Sequence, residues 1–282
     1  MRVRFWGVRG SVPTPGPSTV RYGGNTVCLE VRLADGTLIV LDAGTGLREL
    51  GKSIEAEHYT NPIHLFITHA HWDHILGLPF FGPVYKKETR IVMHPTTERG
   101  ITRTRNPIMF DTAHFPVAFG DLPATIERVE NLGIHRIGSA SVRHIELNHP
   151  GGATGFRIDD GDGTSIVYLT DNELSVPGTP SSAIEALTTF SERATLLVHD
   201  AQYTNADMPA KRGWGHSVVD EVLELAKLAS VETIALYHHD PDRDDAALDA
   251  IGKSAAAWVK TNAPGLVSVV AAEGLVLDLK QR

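Results

Sequence analysis

Thr68-His69-Ala70-His71-Trp72-Asp73-His74 follows directly on the run Ile63–Thr68, which reads as a buried strand. The loop after it holds four side chains of ligand type, His69, His71, Asp73 and His74, within six residues. Imidazole and carboxylate donors suit zinc, manganese or iron. A short loop can aim His69 and His71 at one ion and Asp73 and His74 at a second. The chain has a single cysteine, Cys28, so an intrachain disulfide and a zinc site built mainly of thiolates are both excluded. Fourteen histidines in 282 residues is a high count and points the same way.

On either side of this loop, apolar β-branched runs alternate with amphipathic ones. Val3–Trp6, Val27–Val31 and Leu38–Leu41 read as strands, the last two joined by the hairpin turn Ala34-Asp35-Gly36-Thr37. A helix is predicted from Gly46 to Ala56. Further strands are predicted at Ile91–Met93, Ser141–Leu147, Gly155–Ile158, Ile166–Thr170, Leu196–His199 and Thr233–Tyr237, with two more near Leu266–Val270 and Leu275–Leu279. Ser217–Ala229 has the broad apolar face of a packed helix, with Ser217 as its expected N-cap and Asp220 and Glu221 in the first turn. Asp244–Lys260 is a second long helix. This order suggests helix-covered sheets in one α/β unit spanning 1–282. Only 95–120 fits poorly, and it reads as a lid-like insertion.

With 42% apolar and 21% charged residues the composition is that of a globular protein able to bury a large core. No apolar run reaches the ~20 residues of a membrane span, and the N-terminus lacks a signal-like apolar stretch. A cytoplasmic protein with no membrane partner is therefore expected. Twenty-six basic against 34 acidic residues give a net charge of −8, which argues against a nucleic-acid partner. Locally, Lys86, Lys87, Arg90, Arg99, Arg103 and Arg105 against Glu88 and Glu98 leave +4, a patch suited to phosphate or to a solvated face.

The H-x-H-x-D-H run resembles the metallo-β-lactamase superfamily, whose fold is an αββα sandwich with a two-metal site along one edge of its sheets. Further motifs of that family appear in order over most of the chain. Asp42, in Leu41-Asp42-Ala43-Gly44-Thr45-Gly46, matches an early Asp that buttresses the metal loop. His149, in Leu147-Asn148-His149-Pro150-Gly151-Gly152-Ala153-Thr154-Gly155-Phe156, has the His, five residues, Gly-aromatic spacing of the RNase Z and cyclic phosphodiesterase branch. Glyoxalase- and lactonase-type members place this ligand in a P-G-H context, and here Gly152 follows Pro150-Gly151. Asp171, ending Tyr168-Leu169-Thr170-Asp171, matches a carboxylate that bridges two metals at the ~3.5–4 Å typical of such sites. Leu236-Tyr237-His238-His239-Asp240 offers two adjacent histidines. The branch's pattern aligns His238 with the ligand and leaves His239 as the alternative. The resemblance thus implies the metal set His69, His71, Asp73, His74, His149, Asp171 and His238, holding two zinc ions or, alternatively, manganese.

Two more pieces bear on the subfamily. Leu197-Val198-His199-Asp200-Ala201 resembles the His-Glu-Ala-Thr motif of RNase Z with Asp in place of Glu, and Gly215-His216-Ser217 resembles its His-Ser-Thr motif. In that branch the second His works at the scissile phosphate and the acidic residue positions it. The implied catalytic residues are His216, Asp73 and Asp200. The implied function is a binuclear phosphodiesterase on small cyclic phosphodiesters, cyclic nucleotides or a phosphoribosyl cyclic phosphate, with homodimerisation compatible. The alternatives are a lactonase or thioester hydrolase on the same site, an RNase Z-like ribonuclease, whose long basic arm is not evident here, and a ligand-binding sensor that kept the fold.

Overall fold

The computed structural model describes residues 1–95, 108–130 and 133–280. Two sheets of seven strands stack face to face. The first holds β1 (Arg2–Gly7), β2 (Cys28–Arg32), β3 (Leu38–Leu41), β4 (Ile63–Phe66), β5 (Arg90–His94), β6 (Thr125–Arg128) and β14 (Val276–Asp278), in the order β14-β1-β2-β3-β4-β5-β6. The second holds β7 (His135–Ile137), β8 (Ala140–Leu147), β9 (Ala153–Asp159), β10 (Ser165–Leu169), β11 (Leu196–Asp200), β12 (Thr233–Tyr237) and β13 (Val267–Val270), in the order β13-β12-β11-β10-β9-β8-β7. The α-helices among the described residues are α1 (Leu47–Ala56), α2 (Trp72–Ile75), α3 (Ile184–Ser191), α4 (Val219–Leu228) and α5 (Asp245–Asn262). This is the αββα sandwich expected from the sequence.

The period of two along each strand builds the layers. Ile39 and Leu41 of β3 point inward and meet Phe156, Ile158, Ile166 and Tyr168 of the other sheet. Leu38 and Val40 point outward and pack with Leu47, Leu50 and Ile54 of α1. On the far side, Val167, Leu169, Leu197 and Ile234 pack against Leu187 of α3, Val222 and Leu223 of α4 and Ala255 and Val259 of α5. Each fully buried Leu, Ile or Phe contributes roughly 1.5–3 kcal/mol, against about 0–1 kcal/mol for an exposed ion pair such as Arg90–Glu127. The apolar layers therefore hold the fold, and the surface charges do not.

Strands β3 to β6 run parallel to one another, as do β10 to β13. Asp42, the His69–His74 loop, Asp171, Asp200 and His238 all lie at or just beyond the carboxyl ends of these parallel strands. Open α/β sheets place their ligand crevices at such ends.

Several elements differ from the sequence reading. β6 and β7 were not expected. Both are short edge strands, and β6 (Thr-Ile-Glu-Arg) has a single apolar residue. α3 is rich in Thr, a weak helix former, and anchors mainly through Leu187. Ser217 is not the N-cap of α4; Val218 occupies that position. The Ser217 hydroxyl instead donates to the Asn172 carbonyl and accepts from the Leu174 amide, 3.1 Å away, so the needs of a buried loop override local capping. Within the segment 95–120, residues 96–107 lie outside the described residues, and with them Glu98, Arg99, Arg103 and Arg105 of the basic patch. Met109 and Phe110 are buried in the α1-side layer, with Phe115 and Phe119 packed against it. Of the remaining patch, Lys86 pairs with Glu55 and Arg90 with Glu127. No helix among the described residues is long and apolar enough to cross a membrane.

Candidate metal centre

The strand ends bring all seven candidate ligands into two adjoining groups that share Asp171. One is His69, His71, His149 and Asp171, the other Asp73, His74, Asp171 and His238. In the first, His149 Nε2 lies 3.1 Å from His71 Nδ1, and Asp171 Oδ1 lies 3.7 and 3.8 Å from Nε2 of His69 and His149. In the second, Asp171 Oδ2 lies 3.0 and 3.1 Å from Nε2 of His74 and His238, and Asp73 Oδ2 lies 3.3 and 3.2 Å from the same two nitrogens. Donors bound at ~2.0–2.1 Å around a tetrahedral ion stand about 3.3 Å apart, so these separations match a coordinated set.

The outward ring nitrogen orients four of the five imidazoles. His74 Nδ1 donates to Asp42 Oδ2 (2.9 Å), His149 Nδ1 to the Gly215 carbonyl (3.1 Å) and His238 Nδ1 to Gln202 Oε1 (2.9 Å). His69 Nδ1 lies 3.1 Å from the Thr68 hydroxyl. Those acceptors occupy Nδ1 and turn Nε2 towards the centre. Nε2 of His69 is buried with no hydrogen-bond partner, and Nε2 of His74 faces the Asp73 and Asp171 carboxylates. Orphaned, converging imidazole nitrogens around carboxylates are what a cation would satisfy, so the residues present fit divalent metal ions.

The electrostatics agree. Burial holds His69 and His149 below their ordinary pKa values, which keeps them neutral. Burial acts on His74 in the same sense, but Asp171, Asp73 and Asp42 outweigh it and raise its pKa well above the ordinary value. The second group is thus a buried anionic nest that calls for positive charge. Burial alone would raise the Asp73 carboxyl, yet His74 and His238 hold it well below the usual range.

Backbone strain marks the same residues. Asp42 (φ 63°), Asp171 (φ 59°) and His238 (φ 58°) adopt the left-handed conformation, at a cost of order 1–3 kcal/mol each. Each follows a strand end at which the chain must turn its side chain into the cleft. Close approach also fixes Gly10, where a Cβ would sit 2.4 Å from the His238 ring.

Asp42 stands behind the ligand loop. It accepts from the Thr68 amide (2.8 Å), the Thr68 hydroxyl (3.0 Å) and the Tyr168 hydroxyl (3.0 Å), besides His74. Asp200 Oδ2 lies 2.5 Å from His216 Nδ1, and His216 stacks on His238 with ring centroids 4.9 Å apart. His239 is placed elsewhere. Its Nε2 donates to the Ala271 carbonyl (2.8 Å), and burial pushes its pKa down to about 3. Sequence reasoning missed Gln202, Tyr168, the Ser11 amide that donates to Asp73 Oδ2 (2.7 Å) and the buried Glu173. No spacing rule signals them, because each acts from a separate loop or from within an apolar strand.

This arrangement separates the two adjacent histidines. His238→Ala should lose one equivalent of bound metal, whereas His239→Ala should keep the wild-type content in its folded fraction while losing about 1–3 kcal/mol of stability from the stranded Ala271 carbonyl. Elemental analysis of both variants, with thermal melts, checks this; the reverse pattern of metal loss would refute it.

Comparison with known proteins agrees with this geometry. Residues 37–239, well over half the chain, match the family described as "Beta-lactamase superfamily domain", and the chain belongs to that family. It is 26% identical to the ribonuclease Z of Haloarcula marismortui over 84% of this chain and 86% of that protein. Among solved structures it resembles the short form of human tRNase Z (TM-score 0.66, 19% identity, 100% of both chains). It also resembles a diphosphatase from the PhnP family (TM-score 0.66, 18% identity, 99% of this chain and 98% of that one). A chain of this family with this donor set is a hydrolase of the metallo-β-lactamase fold that uses divalent metal ions.

Proposed function

We propose that the chain hydrolyses phosphodiesters at two divalent ions, zinc or manganese. His69, His71, His149 and Asp171 would hold one ion, and Asp73, His74, Asp171 and His238 the other. Bound there, the pair would lower the pKa of water and neutralise phosphoryl oxygens. The observation that carries the reading is His216. Burial opposes its charge, but the Asp200 carboxylate 2.5 Å away, with Asp171 and Asp73 behind it, lifts its pKa to about 9. A charged imidazole beside the centre suits an anionic phosphoryl group and a departing alkoxide that needs a proton. Lactone or thioester hydrolysis does not need that cation.

Small cyclic phosphodiesters, cyclic nucleotides or a phosphoribosyl cyclic phosphate, are the favoured substrates, given the net charge of −8. RNA is the second reading, and the ribonuclease Z names of its relatives favour it. The test is a substrate panel on metal-loaded protein. Bis(p-nitrophenyl) phosphate should be hydrolysed, a chelator should abolish the activity, and p-nitrophenyl phosphate and a simple lactone should be poor substrates. Faster turnover of the monoester or the lactone would overturn the assignment.

A further inference from the structure

Trp214 is 56% exposed, and its backbone is held on both sides. It stands between Gly213 (φ 84°) and Gly215 (φ 88°), both in a conformation that favours glycine. The amides of these two glycines donate to one carboxylate. Gly213 N lies 2.9 and 3.1 Å from Oε1 and Oε2 of Glu173, and Gly215 N lies 2.9 Å from Oε2. Glu173 is only 2% exposed. A buried carboxylate is costly unless backbone donors satisfy it, and here they tie down the loop that carries the indole. The ring keeps much of its surface open to solvent, where a planar ligand can reach it.

A run of contacts joins this indole to the reaction centre. Lys211 Nζ lies 4.2 Å over the Trp214 ring and 5.8 Å from the Tyr203 ring. Tyr203 in turn meets His216 edge-on at 5.6 Å. The Gly215 carbonyl, one residue from Trp214, orients His149. A second indole, Trp72, directly follows His71 and is 51% exposed.

We propose that Trp214 and Lys211 form a subsite for the planar base of a nucleoside phosphodiester, with the ammonium over one face of the indole and the base stacking on the other. This deepens the phosphodiesterase reading and rests on it. It makes nucleotide-bearing diesters better substrates than diesters with no base. Base–aromatic stacking tolerates any base because every base has a π-face, so a broad preference for nucleosides is expected, with no strict sequence specificity.

The test compares thymidine 5′-(p-nitrophenyl) phosphate with methyl p-nitrophenyl phosphate, which share a leaving group and differ in the nucleoside. Metal-loaded wild-type protein should favour the thymidine ester by about 5–100-fold in kcat/KM. Trp214→Ala should erase most of that preference, chiefly through KM, while Trp214→Phe retains it and Lys211→Ala reduces it. Binding of thymidine 5′-monophosphate should quench tryptophan fluorescence in wild type and far less in Trp214→Phe. An unchanged preference in Trp214→Ala, or equal use of the two esters by wild type, would overturn the subsite and leave the phosphodiesterase reading standing. Turnover of neither ester would overturn both.

Discussion

Asp171→Asn should empty both ion positions and lower kcat by at least about 10²–10³-fold, the range for losing one preorganised group that opposes developing charge. Asp171 is 1% exposed and turns one carboxylate oxygen to His69 and His149 and the other to His74 and His238. It is the one residue common to both groups. Repulsion between two dications is four times that between unit charges at the same distance, so the anion between them is indispensable. Asn is the informative replacement because it keeps the shape and tolerates the left-handed backbone at φ 59°, where Ala would add strain. Elemental analysis and kcat, with circular dichroism to confirm folding, check the result. Full metal content at wild-type kcat would refute the shared role.

Much of the centre was legible because its donors sit where buried strands end. Ile63–Phe66, Ser165–Leu169 and Thr233–Tyr237 announce themselves as apolar runs, and each is followed within a few residues by His or Asp, types that seldom sit unpaired at a strand end. The two adjacent histidines diverge in the structure for a reason other than strand alternation. Alternation along a strand would send His238 and His239 to opposite faces. In the structure β12 ends at Tyr237, and the left-handed turn at His238 carries its ring into the cleft. His239 then points to Ala271 in the layer behind.

The supporting shell was not legible. Gln202 orients His238 from two residues past β11, and Glu173 organises a loop forty residues away in sequence. Both are ordinary polar residues in loops, and only their three-dimensional partners distinguish them. Ser217 shows the converse failure. Local chemistry made it a good N-cap, but two buried groups of the 172–174 loop compete for its hydroxyl and win. Leaving them unmet would cost about 1–3 kcal/mol each, more than a typical cap contributes. The edge strands β6 and β7 were invisible because one solvated face and three or four residues give no readable period.

His216→Ala should leave the metal content intact and lower kcat by about 10²–10⁴-fold on substrates with alkoxide leaving groups, the usual range for an acid–base side chain. His216 groups only with Asp200 and His238, outside the two groups that share Asp171, so its removal should not release an ion held by those two. Its Nδ1 donates to Asp200, which leaves Nε2 to carry a proton to the departing oxygen. A p-nitrophenolate group departs without a proton, so the loss should shrink there. The pH profile carries an independent sign. Only protonated His216 can act as the acid, and the Asp200 carboxylate favours that form, so the rate on alkoxide esters falls on the alkaline side as the imidazolium loses its proton. Asp200→Asn removes the carboxylate that overcomes burial, so the alkaline limb should move to lower pH while metal content is unchanged. Equal losses in His216→Ala for good and poor leaving groups, together with an unmoved limb in Asp200→Asn, would leave His216 an electrostatic contact and exclude proton transfer from it.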